Sequence, residues 1–237
     1  MTDPIPGDVP AGEGGADRAG EGVDRPGGES ADATDGDVDP AGDEATHRVL
    51  AAPGDGRLRL LDRETYEPVV TADAGHGAPV ADLRPGYLVD AELDWSTAEP
   101  TVRSASVVRP TLYAFGDDVD PMFEAARDAW NDARAAGDAV NSRVTRNTDS
   151  EVNGVLYVFA EDERNGTFEA FRDGIRPVEP LVDRVNEREG PAPREVFVLR
   201  PADGRFVAVT IALRKGGRFA DTLRETYDLP RPDEPPA

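Results

Sequence analysis

The sequence predicts an α+β protein that consists of a disordered acidic N-terminal tail, a small all-β domain and a larger α+β domain. Residues 1–45 lack any Phe, Trp or Tyr, residues 46–115 contain five short strand patterns, and residues 116–229 mix helical with strand periodicity. Residues 230–237 are rich in proline and charge, which predicts a disordered C-terminal tail.

The N-terminal tail is defined by its charge. Residues 1–45 carry 13 acidic and 2 basic side chains. Such a segment buries too little apolar surface to offset the conformational entropy that ordering would cost. We interpret it as a solubilising chain, and a nucleic-acid mimic that masks a basic site is the alternative.

The first folded domain is predicted to be a barrel-like sheet of the OB or SH3 kind. Short apolar runs flank the turn at 53–56, a further run follows at 66–72, and 101–115 contains one or two strands interrupted at Pro110. The clearest alternation lies in 86–95, where one face is expected to be buried. Its members are Tyr87, Val89, Ala91, Leu93 and Trp95. Five short strands in one small domain favour a barrel.

The second domain is predicted to have an antiparallel sheet flanked by helices. Asp120 is expected to cap the first helix, with Pro121 in its first turn and Gly137 after its end. Two hairpins and three further helices follow. The hairpins cover 140–160 and 195–213, the second one buried on both faces, and the helices begin at Thr167, Glu179 and about 218.

The overall composition is strongly acidic, with 48 acidic against 26 basic residues and a formal net charge of -22. Lys215 is the only lysine, and aspartate outnumbers glutamate. This resembles the composition of salt-in haloarchaeal cytosolic proteins. At ~1 M salt the Debye length is about 3 Å, so the repulsion between many carboxylates is screened. A soluble, cytoplasmic, halophilic protein is therefore expected, and a mesophilic protein with an acidic tail is the alternative.

Several chemistries are excluded or disfavoured by the residues themselves. The chain has no cysteine, which excludes disulfides and thiolate chemistry. No P-loop, dinucleotide fingerprint or nucleophile elbow occurs, no stretch approaches the ~18 apolar residues of a membrane helix, and no cofactor is expected. The carboxylates at 117–120 do not fit a calcium-loop frame. A hydrolase-type site would have to use His76 with Asp73 or Asp82, and an ordinary loop histidine is the simpler interpretation.

One segment reverses the sign of the charge. Residues 191–220 contain six cationic and two acidic side chains, and a glycine pair joins the last strand to the last helix. A glycine turn, a helix start and flanking cations are what an anion site needs. The predicted site comprises Arg200, Arg205, Arg214, Lys215, Gly216, Gly217 and Arg218. The simpler alternative is that these cations pair with surface carboxylates such as Asp221 or Glu225.

If this site is real, two kinds of partner fit it. One is nucleic acid, with stacking on Tyr87, Trp95 and Tyr113 of the β-domain. The other is a small phosphate-containing metabolite, which needs fewer charges and suffers less from salt.

Three longer segments, "LRPGYLVDAELDW", "VNGVLYVFAEDERNGTFEAFRDGI" and "REVFVLRPADGRFVAVTIALRKGGRFADTL", are similar to an uncharacterised haloarchaeal family that has only a domain-of-unknown-function label. The resemblance implies no activity, cofactor or site. Three hypotheses therefore remain open: a non-catalytic binder of an anion, a scaffold that binds another protein, and an enzyme that uses His76.

Overall fold

The computed structural model describes residues 44–54, 56–161 and 166–234 as an α+β fold with two five-stranded sheets and four helices, which confirms the predicted class. The predicted N-terminal tail lies outside the described residues except for its last two, of which Ala45 begins a strand. No helix in the described ranges is long and apolar enough to cross a membrane.

The first sheet is antiparallel throughout and has the strand order β3-β2-β1-β4-β5. Its strands are β1 (Ala45–Val49), β2 (Arg59–Asp62), β3 (Pro68–Val70), β4 (Tyr87–Asp94) and β5 (Thr101–Pro110). The segment after β3 bonds to β5, because the amides of Ala72 and Gly77 donate to the carbonyls of Pro100 and Val102, each at 2.9 Å. These two bonds link the segment after β3 to the opposite edge of the sheet, whereas the paired strands themselves form an open five-stranded sheet.

The alternation predicted for 86–95 holds over the strand and fails at its end. Tyr87, Val89, Ala91 and Leu93 are all buried. Trp95 is 57% exposed, contrary to the prediction, because β4 ends at Asp94 and the pleat no longer fixes where the next side chain points.

The second sheet has the order β6-β9-β10-β8-β7. It consists of β6 (Leu112–Val119), β7 (Val140–Arg146), β8 (Val152–Ala160), β9 (Glu195–Pro201) and β10 (Phe206–Ala212). Contrary to the prediction of a purely antiparallel sheet, β6 and β9 are parallel. The predicted domain boundary after residue 115 assigns residues 112–115 to the first domain, whereas the chain changes sheets at Thr111, between β5 and β6.

Helices cover both faces of the second sheet. They are α1 (Glu124–Ala136), α2 (Thr167–Arg172), α3 (Glu179–Glu189) and α4 (Arg218–Thr226). One face packs against α1 and α4 through residues such as Ala126 and Leu223. The other packs against α2 and α3 through residues such as Phe171 and Val182. Because β9 and β10 lie between these layers, their apolar runs are buried on both faces, as predicted.

The start of α1 differs from the prediction. Gly137 ends the helix in a left-handed conformation, with φ of 77°, as predicted. Asp120 does not cap it, because the helix begins only at Glu124 and Phe123 occupies the N-cap position without a side-chain bond. The Phe123 amide instead donates to the Tyr227 hydroxyl at 2.8 Å, so a tertiary contact with the end of α4 determines where the helix starts.

Ion pairs connect the first sheet to the helices beside the second. Arg48 of β1 donates to Glu179 of α3 at 2.8 Å, and both side chains are buried. The Tyr113 hydroxyl donates to the same carboxylate oxygen at 3.0 Å. At the periphery, Arg63 pairs with Asp183 at 2.7 Å. These contacts reach α3 at two places, Glu179 in its first turn and Asp183 one turn later, and Arg59 of β2 pairs with Asp173 after α2.

Candidate functional site

The seven residues predicted to form an anion site lie at two different places. Arg200 and Arg205 flank the turn between β9 and β10. The other five, residues 214–218, connect β10 to α4 at the opposite end of that strand. Because the seven residues of β10 at about 3.3 Å each span about 20 Å, the two groups cannot bind one small ligand together.

Arg200 and Arg205 are already paired with carboxylates. Arg200 contacts Asp117 at 2.6 Å and Glu169 at 2.9 Å, and its guanidinium lies 4.9 Å from the centre of the Phe168 ring. The hydrogen bond from Arg200 lowers the pKa of the Asp117 carboxyl against the opposing effect of burial. Arg205 lies 3.6 Å from Asp203 of its own turn. This end of the strand therefore offers little free positive potential.

The glycine turn after β10 holds an internal anion. Gly216 adopts φ of 64°, and its amide donates to the Glu195 carboxylate at 2.7 Å. Glu195 is fully buried at the start of β9 and also accepts from Arg224 at 2.5 Å and from Arg231 at 2.8 Å. The Gly216 amide thus binds a carboxylate of the protein itself, together with Arg224 and Arg231 rather than with the predicted cations Arg214, Lys215 and Arg218.

The C-terminal residues lie beside this turn. Residues 230–234, which the sequence assigned to a disordered tail, make several hydrogen bonds, and residues 235–237 lie outside the described part of the chain. The Glu234 carboxylate pairs with Lys215 and accepts from the Tyr87 hydroxyl at 2.6 Å. Arg84 donates to the carbonyl of Asp233 at 2.8 Å. The tail thus connects the β10–α4 turn to the first sheet.

An open pocket of about 650 Å³ lies where the tail meets the turn. Arg214, Lys215 and Arg231 supply its cationic wall, and Glu234 is its carboxylate. Pro193 and Leu213 supply apolar surface. Arg214 is exposed, and no ion pair involves it among the described residues. A few convergent polar groups against apolar walls are typical of small-ligand sites.

A buried cation beside this pocket adds to its positive potential. Arg194 is 1% exposed and donates to the Asn186 side chain at 3.0 Å and to the carbonyls of Leu213 and Gly190 at 3.1 and 2.7 Å. None of these acceptors is charged. Burial lowers the pKa of the Arg194 guanidinium, the nearby charge of Glu189 opposes this effect, and that of Arg109 adds to it.

The junction therefore has more positive than negative groups. We call this set the junction cluster; its cations are Arg194, Arg214, Lys215, Arg224 and Arg231, and its carboxylates are Glu195, Asp221 and Glu234. The pocket lining itself has three cations, Arg214, Lys215 and Arg231, and one carboxylate, Glu234, in a chain of formal net charge -22.

Neither a catalytic site at His76 nor a metal site has suitable geometry among the described residues. Both ring nitrogens of His76 bind backbone: Nδ1 accepts from the Val102 amide at 3.1 Å, so Nε2 carries the proton and donates to the Ala72 carbonyl at 3.0 Å. The ring is thus engaged as a structural link rather than free to act as a base. Among the described residues, no group of three or more His, Asp or Glu is arranged to hold a metal.

Two of the three aromatic rings expected to stack on nucleic acid are buried in the described structure. Tyr87 is 3% exposed and Tyr113 is 5% exposed, so their rings belong to the core. Trp95 alone of the three is exposed.

Sequence reasoning named Asp221 only as a surface partner, and it missed Glu195 and Glu234 as members of the junction cluster together with the cations Arg194, Arg224 and Arg231. Arg224 offered a signal, since it occupies a position on the apolar face of α4, one residue after Leu223 and four after Ala220. A charged residue at such a position is buried only if it is paired. Nothing local indicated Glu234, whose partners Lys215 and Tyr87 come from distant segments.

The fold and the junction cluster define an α+β protein with a basic pocket and no recognisable catalytic set among the described residues. A family model matches residues 40–232, and the chain belongs to this family of unknown function (DUF6663). Searches of curated proteins and of solved structures gave no match.

Proposed function

We propose that the protein is a non-catalytic binder of a small anionic ligand, which it holds in the pocket of the junction cluster. The observation that carries the proposal is the position of Glu234. Its carboxylate meets Lys215 and the Tyr87 hydroxyl at the pocket, so these two donors already hold an anion there. An external carboxylate or phosphate would take the place of Glu234 and add the exposed Arg214 to its contacts.

A phosphate-containing metabolite fits this surface better than nucleic acid does. The pocket is small, and two of the three aromatic rings that a nucleic acid would need are buried. Binding of a polyanion through phosphates also weakens steeply with salt. A compact ligand makes fewer phosphate contacts, each of them a charge-assisted hydrogen bond, so its binding loses less as salt rises.

The setting that we propose is the salt-rich cytoplasm of a haloarchaeon. The support is compositional: a net charge of -22, a single lysine and more aspartate than glutamate. High ionic strength would screen the repulsion among these carboxylates. Measuring the free energy of unfolding at low and at high KCl tests this setting, because a halophilic protein becomes more stable as KCl rises.

Direct binding measurements test the ligand proposal. Titration calorimetry with pyrophosphate, ADP and citrate at about 2 M KCl is expected to show saturable binding of at least one anion. Lys215→Gln should weaken it by about tenfold or more, because a charge-assisted hydrogen bond contributes about 1.5–3 kcal/mol. Arg205→Gln is the matched control, since among the described residues this exposed cation has an ion pair only with Asp203 of its own turn. An unchanged affinity in Lys215→Gln, or no saturable binding to the wild type, would contradict the proposal.

The state of the tail should depend on pH. Burial alone would raise the pKa of Glu234, but the hydrogen bonds from Lys215 and Tyr87 outweigh it and leave the pKa below its ordinary value of 4.5. A carboxylate with a depressed folded pKa stabilises the docked tail above its ordinary pKa and loses that contribution as pH falls through the folded value. Carbon-13 NMR of the Glu234 carboxyl should therefore show a midpoint below 4.5, and Lys215→Gln should raise it. A midpoint at or above 4.5 in the wild type would show that the tail is not held by these donors.

A further inference from the structure

The strand β7 forms one edge of the second sheet and has free backbone groups on its outer side. The Ala160 amide donates to the Ala139 carbonyl, and the register then pairs Val140 with Phe159 and Thr145 with Gly154 without a shift between them. Antiparallel pairs alternate between bonded and non-bonded positions. The odd-numbered residues of β7 therefore bond to β8, whereas Val140, Ser142 and Val144 direct their amides and carbonyls outward.

No other described strand uses these outward groups. The Ser142 amide donates only to the Asn141 side chain at 2.8 Å, which is a local substitute for a partner strand. Val140 is 50% exposed and Val144 is 44% exposed, and they lie on the same side of the strand. A free edge with exposed β-branched side chains is the arrangement that soluble proteins usually avoid unless the edge is paired.

The charges of this edge differ from those of the rest of the chain. β7, with the sequence VNSRVTR, contains two arginines and no acidic residue. Arg143 is already paired with Asp132 of α1 at 2.8 Å. Arg146 has no ion pair within the described residues and donates only to the Ser150 carbonyl. Asp138, just before the strand, supplies the opposite charge at the other end.

We propose that two copies of this chain associate by antiparallel pairing of their β7 strands about a twofold axis at Ser142. This register places Val140 opposite Val144 of the second copy and Asp138 opposite its Arg146. It uses the outward groups of all three even-numbered residues, for about six backbone hydrogen bonds. Pairing centred on Arg143 would instead set two guanidinium groups opposite each other, which is unfavourable. The partner that fits this edge is therefore a second copy whose β7 pairs in the register centred on Ser142.

Salt should promote this association rather than oppose it. Each chain carries a formal net charge of -22, so two copies repel each other at low ionic strength. Screening removes most of this repulsion, whereas the apolar and backbone contacts of the edge remain. The dimer is expected to strengthen as KCl rises.

Sedimentation equilibrium of the full chain at about 2 M KCl tests the proposal. The wild type should show twice the chain mass of 25.4 kDa. Val144→Lys should weaken the dimer by about tenfold or more, since it places a charge opposite Val140 and buries it in the contact. Ser142→Pro should act in the same direction, because it removes an outward amide that the β8 ladder does not use. Val107→Lys on the edge strand β5 is the control, as Val107 is 47% exposed.

A charge exchange tests the register. At the lowest KCl concentration at which the wild type still dimerises, where the ion pair is screened least, Asp138→Arg should weaken the dimer, and Asp138→Arg combined with Arg146→Asp should restore it, because the second change returns an opposite charge to each end. Circular dichroism confirms that each variant is folded. A monomeric wild type at every salt concentration would overturn the proposal, as would a dimer that survives both Val144→Lys and Asp138→Arg or that is lost only in Val107→Lys.

Discussion

Replacing Arg48 with methionine is expected to lower the free energy of unfolding by about 3–5 kcal/mol. Arg48 and Glu179 are 1% and 0% exposed, and they join β1 of the first sheet to the first turn of α3. The substitution would leave the Glu179 carboxylate buried, with the Tyr113 hydroxyl as its remaining donor among the described residues. Its second oxygen already lacks a partner there, and the nearest remaining cation, Arg63, is already paired with Asp183.

The size of this effect decides whether the ion pair holds the two sheets together. Total stabilities are typically about 5–15 kcal/mol, so the change would be a large fraction of the whole. Denaturant unfolding at fixed KCl measures it. Arg57→Met is the control, because Arg57 and Glu99 are 40% and 51% exposed at 3.5 Å and such pairs contribute at most about 1 kcal/mol. A loss in Arg48→Met no greater than in Arg57→Met would contradict the prediction.

A double substitution separates the pair from its surroundings. Arg48→Met with Glu179→Leu removes both charges and leaves side chains that can pack. Since apolar replacement of a buried ion pair is often neutral, most of the lost stability should return. The recovery should be incomplete, because the Gly86 carbonyl and the Tyr113 hydroxyl would each lose a partner.

The predictable parts of the fold are those that local sequence determines. The sequences of β9 and β10 are apolar at nearly every position, and this pattern predicts strands that are buried on both faces. Gly137 ends α1 because the turn after the helix requires a left-handed backbone conformation, which glycine adopts more easily than other residues. These elements needed no knowledge of a distant partner.

The parts that sequence could not supply depend on distant contacts. β6 continues from β5 after one residue, yet it joins the other sheet because it pairs in parallel with β9, far along the chain. The start of α1 is set by Tyr227, more than 100 residues away in sequence. Neither contact leaves a pattern in the local sequence. Local propensities therefore place residues 112–115 with the first sheet and predict Asp120 as the N-cap of α1, and both predictions are wrong.

The candidate site also combines features that the local sequence predicts with features that depend on distant contacts. The density of cations in residues 191–220 can be counted along the sequence, but two of these cations, Arg200 and Arg205, lie at the other end of β10 from the junction. Which cations remain free depends on carboxylates that fold against them. Arg200 is paired by Asp117 and Glu169, whereas Arg194 is buried with neutral acceptors alone. Only the three-dimensional arrangement separates the paired cations from the unpaired ones.

Replacing Glu195 with glutamine is expected to destabilise the second half of the chain by about 3–5 kcal/mol and to release the C-terminal tail. Glu195 is 0% exposed, and it accepts from Arg224, Arg231 and the Gly216 amide. Glutamine keeps the volume but not the charge. Arg224, which is 6% exposed, would then be a buried cation without a carboxylate among the described residues.

The tail provides a second measurement that a general loss of stability would not change. Arg231 contacts Glu195 and also the exposed Asp221 at 2.6 Å, so Asp221→Asn is the matched control at the surface. Hydrogen exchange of the segment 224–234 should accelerate in Glu195→Gln under conditions where the β9 and β10 amides stay protected, and it should change little in Asp221→Asn. Equal exchange in the two variants would mean that the buried carboxylate does not hold the tail. Faster exchange in Glu195→Gln alone would show that the anion bound by the glycine turn keeps Glu234 over the pocket.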